Sequence, residues 1–394
     1  MASLSPKRIL KERIISPLRE FIHDSRAVGI TLICCTAISL FITNSAWGES
    51  YLHFWERELA MPVSWLHLPH SVLHLINDGL MAIFFFLVGM EIKRELLVGE
   101  LASLKRSMLP IFGAVGGMIV PAFMYFLWCG GTPYAHGWGI PMATDIAFSL
   151  GILSLLGSKA PLSLRIFLTA LAIIDDLGGI LTIAIFYTGE ISWLYLFWAG
   201  LALVVLILMN VFRIRIYLLY FVLGIVLWYL LFNSGVHATI AGVLLAFTIP
   251  LHKIEKLEHA LHDPVNFIIM PLFALANTAI VLPEDILAVF SSVVHHGILT
   301  GLVVGKPLGI FLFSYLAVKM GIASLPKGIR WKQLFGAGII GGIGFTISIF
   351  ISTLAFNDAF IQTVAKVAVM IASLVAAVVG FLYLRLLNKV AARK

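Results

Sequence analysis

Residues 137–151 read Gly-Trp-Gly-Ile-Pro-Met-Ala-Thr-Asp-Ile-Ala-Phe-Ser-Leu-Gly. The run is apolar enough to lie in a membrane-spanning helix. Yet Gly137, Gly139 and Pro141 interrupt it, and Thr144-Asp145 puts polar atoms at its middle. Proline removes a helix hydrogen bond, and a charge at the centre of a span costs about 2.5–3.5 kcal/mol on insertion scales. A helix broken inside the membrane, its free ends lining a cavity, reconciles both features. Residues 336–350, Gly-Ala-Gly-Ile-Ile-Gly-Gly-Ile-Gly-Phe-Thr-Ile-Ser-Ile-Phe, have the same character, with five glycines and Thr346-x-Ser348. The two stretches share Thr-x-x-x-Phe, as Thr144 with Phe148 and Thr346 with Phe350. Paired interrupted segments point to a transporter binding site.

The composition around them agrees. Of 394 residues, 60% are hydrophobic and 12% charged, and mean hydropathy is +1.02. Soluble domains carry about 25% charged residues, so these values exclude a cytosolic enzyme, a disordered chain and a nucleic-acid reader. A span needs roughly 20 apolar residues. Twelve candidates follow, at 26–43, 71–92, 107–128, 138–157, 164–187, 193–212, 214–231, 236–250, 264–282, 296–318, 334–356 and 361–387. This predicts an all-α integral membrane protein with one transporter domain over 26–387, a tail at 1–25 and another at 388–394. The long polar lead, with no small-residue cleavage site after the first apolar run, does not read as a cleavable signal.

The basic residues assign sides. Twenty-four Lys and Arg fall in the N-terminal tail and alternate loops, and Arg57 alone falls in the others. Lys306 and Lys366 lie inside spans. Basic loops stay in the cytoplasm, which places both termini there, requires an even span number and explains the net charge of +7 as topology. Spans three to five then run opposite to ten to twelve, the parity of an inverted repeat. The longest loop, 44–70, holds Trp47, Tyr51, Phe54, Trp55 and Trp65. It reads as an interfacial element or short hairpin on the outer side, where an aromatic belt and a contact surface for a second copy are both open.

Asp145, Asp175, Asp176 and Lys306 sit about 8–11 residues into their spans, or roughly 12–16 Å deep, close to the midplane of a 30 Å core. Four ionisable groups at one depth read as one site. Three acids against one lysine leave carboxylates unpaired, and such groups take up protons or bind a cation. Asp175 and Asp176 diverge by about 100° on a helix, so one faces an aqueous funnel while the other faces a neighbouring helix. At broken helices an acid such as Asp145 suits the N-terminal ends and a cation such as Lys306 the C-terminal ends.

Other polar groups read less sharply. Asp78 is a further acid of span two, and Glu91 lies thirteen residues on, beside Lys93, Arg94 and Glu95. Glu258, His259 and His262 open span nine; a polar helix end and a pH-responsive mouth are both open readings. His237 starts span eight and reads as a cap, an interface residue or a further pH-response candidate. Cys34, Cys35 and Cys129 form no CxxC and read as small packing residues. Gly301-x-x-x-Gly305-Lys306 falls one short of a phosphate loop, with Pro307 in place of Ser or Thr.

At these residues the sequence resembles the NhaA family of bacterial sodium/proton antiporters. The matching stretches are Asn77-Asp78-Gly-Leu-Met-Ala, Val88-Gly-Met-Glu91-Ile-Lys-Arg-Glu95, Ala143-Thr-Asp-Ile-Ala-Phe148, Ala172-Ile-Ile-Asp-Asp-Leu-Gly178, Asn233-Ser-Gly-Val-His237-Ala-Thr and Gly301-Leu-Val-Val-Gly-Lys-Pro-Leu-Gly309. The resemblance covers nearly the whole chain. It implies twelve helices, with spans four and eleven unwound and crossing near the membrane middle. Asp175 and Asp176 would then carry sodium or lithium and the exchanged protons, with Lys306 pairing with Asp175 in the absence of sodium. Thr144, Asp145 and Lys306 would balance the crossed helix ends. Glu91, Arg94, Glu95, Glu258 and His259 would form a cytoplasmic mouth linked to alkaline activation. The resemblance also implies the bacterial inner membrane, no cofactor, and a homodimer joined by an outer hairpin, which suits 44–70.

Three other classes are weaker. A proton-coupled carrier of another solute would show more pocket-lining amides or arginines. A channel has no need of a titrating midplane cluster. An intramembrane protease would need acids in a Gly-x-Gly-Asp context, or a Gly-x-Ser-Gly nucleophile, and neither motif occurs.

Overall fold

The computed structural model describes residues 25–59, 68–157 and 160–391. The expected tail up to residue 24, Trp65 and Lys159 therefore lie outside the described residues. The described chain is helical; its β structure is one isolated bridge, Glu58 with Ser71.

In chain order the helices are α1 (Ser25–Thr43) and α2 (Gly48–Glu56), α3 (Val72–Leu97), α4 (Leu104–Cys129), α5 (Ile146–Ser154), α6 (Leu162–Phe186), α7 (Trp193–Val211), α8 (Tyr217–Phe232) and α9 (Ile240–Thr248). Then come α10 (251–277) and α11 (Ile286–Ser291), α12 (Val293–Lys319), α13 (Trp331–Gly341), α14 (Phe345–Ala355) and α15 (Ala359–Ala391). Among the described residues, α3, α4, α6, α7, α12 and α15 are long and apolar enough to cross a membrane. Two bent pairs raise the number to eight: α1 with α2, at 114°, and α13 with α14, at 46°. Of the twelve expected spans, the others are short or interrupted. α8 is an apolar helix of 16 residues, α9 has nine, and span four is a 3₁₀ segment (Ala135–Met142) followed by α5.

The differences from the expected boundaries have local causes. Helical structure begins at Leu251, well before residue 264, because Pro250 turns the chain and the next residues form an amphipathic helix. Pro264 cannot donate its helix bond, and a π-helical stretch, Val265–Ile269, follows directly and absorbs the mismatch. Similar stretches occur at Leu75–Leu80 in α3 and Gly301–Gly305 in α12. The last helix continues through 388–391. In 44–70 the chain forms α2 and then the Glu58–Ser71 bridge, with Leu59 N–H donating to the His70 carbonyl at 3.0 Å.

α4 and α12 pack backbone to backbone. A Cβ on Gly116 would strike the carbonyl of Gly309, and one on Gly309 would strike that of Gly116. Small residues allow this approach where lipid supplies no hydrophobic drive between helices. Leu194, Phe197, Leu218 and Ile225 on α7 and α8 are exposed, as befits faces turned to lipid.

Candidate functional site

The 3₁₀ segment ends at Met142, and α5 starts only at Ile146. α13 ends at Gly341, and α14 starts only at Phe345. Pro141 and the glycines at 341, 342 and 344 make both breaks cheap. The breaks meet. Asp145 N–H donates to the Ile343 carbonyl at 2.7 Å. Ser149 Oγ donates to the Ile340 carbonyl (3.2 Å), and Ser348 Oγ to the Ile140 carbonyl (2.7 Å).

One acid closes two helix starts. Asp145 Oδ1 accepts from Phe148 N–H at 3.0 Å, and Oδ2 accepts from Thr346 N–H at 3.1 Å and Thr346 Oγ1 at 2.6 Å. A carboxylate there meets orphan N–H groups and the positive ends of two dipoles. The carbonyl ends receive donors. Lys306 Nζ donates to the Met142 carbonyl and, at 2.7 Å, to Asp175 Oδ2. Thr144 Oγ1 lies 2.7 Å from Asp175 Oδ2 and 2.9 Å from the Gly341 carbonyl oxygen. A hydroxyl has one proton for these two acceptors, so Asp175 and the Gly341 carbonyl share or compete for it.

Asp176, next on α6, is 2% exposed. Oδ1 of Asp176 and Oδ1 of Asp175 are buried without a hydrogen-bond partner. Asp176, Asp145 and Thr346 line a cavity of about 240 Å³ that continues to Glu91, Arg94, His262 and Asn266. Buried polar atoms are almost always bonded; two exceptions on neighbouring aspartates, of which Asp176 lines the cavity, suit a small cation or a proton.

At the far end of that cavity Arg94 holds the mouth together, Nη1 to Glu258 Oε2 at 2.9 Å and Nη2 to Glu95 Oε1 at 3.3 Å. Burial pushes the Glu258 carboxyl up; Glu95 and Glu255 add to this, while Arg94 and His259 oppose it. His259 is exposed. His262 lies 3.3 Å from Asp263 Oδ1 and 3.1 Å from Asn266 Nδ2.

Asp78 and His237 belong elsewhere. Both line a second cavity, of about 580 Å³, which Phe350 also lines. His74 Nε2 pairs with Asp78 Oδ2 at 2.9 Å, and His237 Nε2 lies 2.7 Å from the Tyr187 carbonyl. His237 is thus not part of the Glu91 cluster. It precedes α9, while Lys93, two residues from Glu91, donates to the Phe247 and Ile249 carbonyls at the other end of that helix (2.7 and 2.5 Å). The whole length of α9 separates His237 from the mouth.

Sequence reasoning did not single out Thr346 as the partner of Asp145, Lys93 as the clasp on α9, or Phe350 as a lining residue of the second cavity. Phe350 is fully buried, 5.7 Å from the Phe85 ring and 6.4 Å from Phe273. The pairing of Thr346 with Asp145 leaves no trace in one sequence beyond a hydroxyl in a glycine-rich span.

Comparison with known proteins identifies a family. The family model described as Na+/H+ antiporter 1 matches residues 19–384. The Na(+)/H(+) antiporter NhaA of Flavobacterium psychrophilum is 51% identical over 383 residues, covering 96% of this chain and 98% of its own. That of Cytophaga hutchinsonii is 49% identical over 383 residues, with 96% and 97% covered. The Na(+)/H(+) antiporter NhaA 2 of Clostridium beijerinckii is 47% identical over 390 residues, with 96% of each covered.

Proposed function

The chain belongs to the NhaA-type Na+/H+ antiporter family, and from that premise we propose that Asp175 and Asp176 form the site that sodium and protons occupy by turns. The protein is a multi-pass bacterial membrane transporter, not an enzyme; the exchanged ions are its substrates and it needs no cofactor. The observation that carries the proposal is the pair of buried, unpartnered carboxylate oxygens, one on each aspartate, with Asp176 lining the cavity that Glu91 also lines.

In this reading the Glu91 end faces the cytoplasm, as the basic loops suggest, and both termini lie there. Sodium enters the cavity and meets Asp176. It then competes with Lys306 for Asp175, whose Oδ2 holds both the ammonium and Thr144. Binding displaces protons from the carboxylates. The site then turns outward, where protons displace sodium. Two protons per sodium move one net charge inward per cycle, and the membrane potential contributes about 2.3 kcal/mol per charge per 100 mV. Lithium, of like charge and smaller size, uses the same oxygens.

The finer architecture belongs to the same proposal. It comprises twelve spans in an inverted repeat, with spans four and eleven unwound where they cross at Asp145 and Ile343. Asp145 compensates the two N-terminal helix ends, while Lys306 and Thr144 compensate the carbonyl ends. Glu91, Arg94, Glu95, Glu258, His259 and His262 set the pH response. α2 and the strand-like contact at Glu58 and Ser71 carry a homodimer contact, for which light scattering of a variant shortened between 58 and 71 gives the test.

Asp176→Asn provides the test of function. In proteoliposomes, sodium should relieve quenching of a pH-sensitive dye in the wild type and leave it unchanged in the variant. Equal relief in both removes the site from the mechanism. A rate that ignores an imposed potassium-clamped voltage removes the two-proton stoichiometry.

A further inference from the structure

We propose that Lys366 supplies the positive charge that eases sodium out of the protein on its outer side and hinders its return. The inference rests on the exchange reading above and assigns a residue that reading does not use. Lys366 stands seven residues into α15, about 10 Å below its start, and lines the cavity of about 580 Å³ opposite Asp78.

The other charged and titratable groups facing that cavity are His74, Asp78 and His237. Each is engaged: Asp78 by His74 at 2.9 Å, and His237 by the Tyr187 carbonyl at 2.7 Å. The amides are engaged too. Asn277 Nδ2 donates to Asn77 Oδ1 at 2.8 Å, and Gln362 Nε2 to the Phe356 carbonyl at 2.6 Å. Among the described residues Lys366 has neither an ion pair nor a hydrogen bond. It is an unpaired lysine within a span, a costly placement that ordinarily marks an ion path.

The cavity lining gives that charge its target. Phe350 lines this cavity, and Thr346, one helical turn earlier on α14, lines the cavity that Asp176 also lines. An ion leaving outward passes from Thr346 to the region Lys366 faces. Low-dielectric walls concentrate the field of a charge within a cleft, and among the described residues Lys366 has no ion-pair partner there, whereas Asp78 is held by His74. An alkali cation there meets repulsion, which speeds its escape and opposes re-entry. A proton need not travel as a free cation, because the His74–Asp78 pair can receive it and pass it on. The charge leaves stoichiometry and driving force unchanged and shifts only the affinity of the outward-facing site.

The test measures the apparent KM for sodium separately from each face, in oriented vesicles. Lys366→Gln should lower the outer KM roughly three- to tenfold and leave the inner KM unchanged. Lys366→Arg should keep both at wild-type values. Choline chloride, added to screen the charge, should lower the outer KM of the wild type and not its inner KM. An unmoved outer KM in Lys366→Gln, equal shifts on both faces, or Arg behaving as Gln overturns the proposal. If Lys366→Gln fails to fold, the choline series on the wild type decides, and no response there overturns it. Absence of exchange in the wild type would instead overturn the parent reading, and this one with it.

Discussion

Asp145 and Thr346, 201 residues apart, are joined twice: the carboxylate accepts the Thr346 hydroxyl at 2.6 Å and its backbone N–H at 3.1 Å. The pair ties the start of α5 to the start of α14. Hydrogen bonds to charged groups contribute about 1.5–3 kcal/mol. Thr346→Val, which keeps the backbone bond and loses the hydroxyl, should destabilise by about that amount. Asp145→Ala strips both helix starts and should cost more. Thermal unfolding in detergent ranks the two; equal midpoints for Thr346→Val and wild type would show that the hydroxyl bond holds nothing.

Lys306 is buried against Asp175 at 2.7 Å with both side chains inaccessible. Removing one partner of such a pair leaves an uncompensated charge, at a cost of about 3–5 kcal/mol. Lys306→Ala should therefore unfold at a clearly lower temperature. Adding Asp175→Asn to it should recover part of the loss, because the two residues couple. A double variant no more stable than Lys306→Ala contradicts the pairing.

Phe350 lines the larger cavity and packs against Phe85 and Phe273, one helical turn from Thr346, which lines the other. Phe350→Ala should cost about 3–5 kcal/mol and connect the cavities through the space it vacates. The expected phenotype is proton leak without sodium, seen as faster collapse of an imposed pH gradient in sodium-free proteoliposomes. A tight membrane with normal coupling would locate the barrier elsewhere.

The mouth should respond to pH with a definite sign. The Glu258 carboxyl is held above its ordinary value, chiefly by burial. Its contribution to the packed mouth is then complete below the ordinary carboxylate range and is lost as pH rises through the raised value. Alkali should therefore weaken the contact that Glu258 makes between α10 and α3, with the Arg94 pair opposing that loss. Backbone amides of 251–264 should exchange hydrogen faster at higher pH, beyond the intrinsic rise with hydroxide, and Glu258→Gln should flatten that dependence. Identical pH profiles for Glu258→Gln and wild type would remove Glu258 from the response.

The Asp145–Asp175–Asp176–Lys306 cluster was legible in the chain because charge at membrane depth is rare and costly, so depth along each span sufficed to group the four. The interruptions at 137–151 and 336–350 were legible because proline and glycine act on the local backbone. Short helices were not. The nine residues of α9 and the early start at Leu251 depend on where Pro250 turns the chain against its neighbours. His237 shows the same limit: local sequence marks it as titratable and says nothing of which end of α9 it faces.

Composition, the spacing of apolar runs and the side-to-side alternation of lysine and arginine were enough to read an all-helical membrane transporter with a midplane carboxylate site, since each reflects the cost of placing a residue in lipid. Only the folded chain settled which groups satisfy one another: Asp145 with Thr346, Lys306 with the Met142 carbonyl, Lys93 with the end of α9, and Lys366 with no partner among the described residues. Such pairings join residues far apart in the chain, and they follow from how the helices pack rather than from any single helix's own preference.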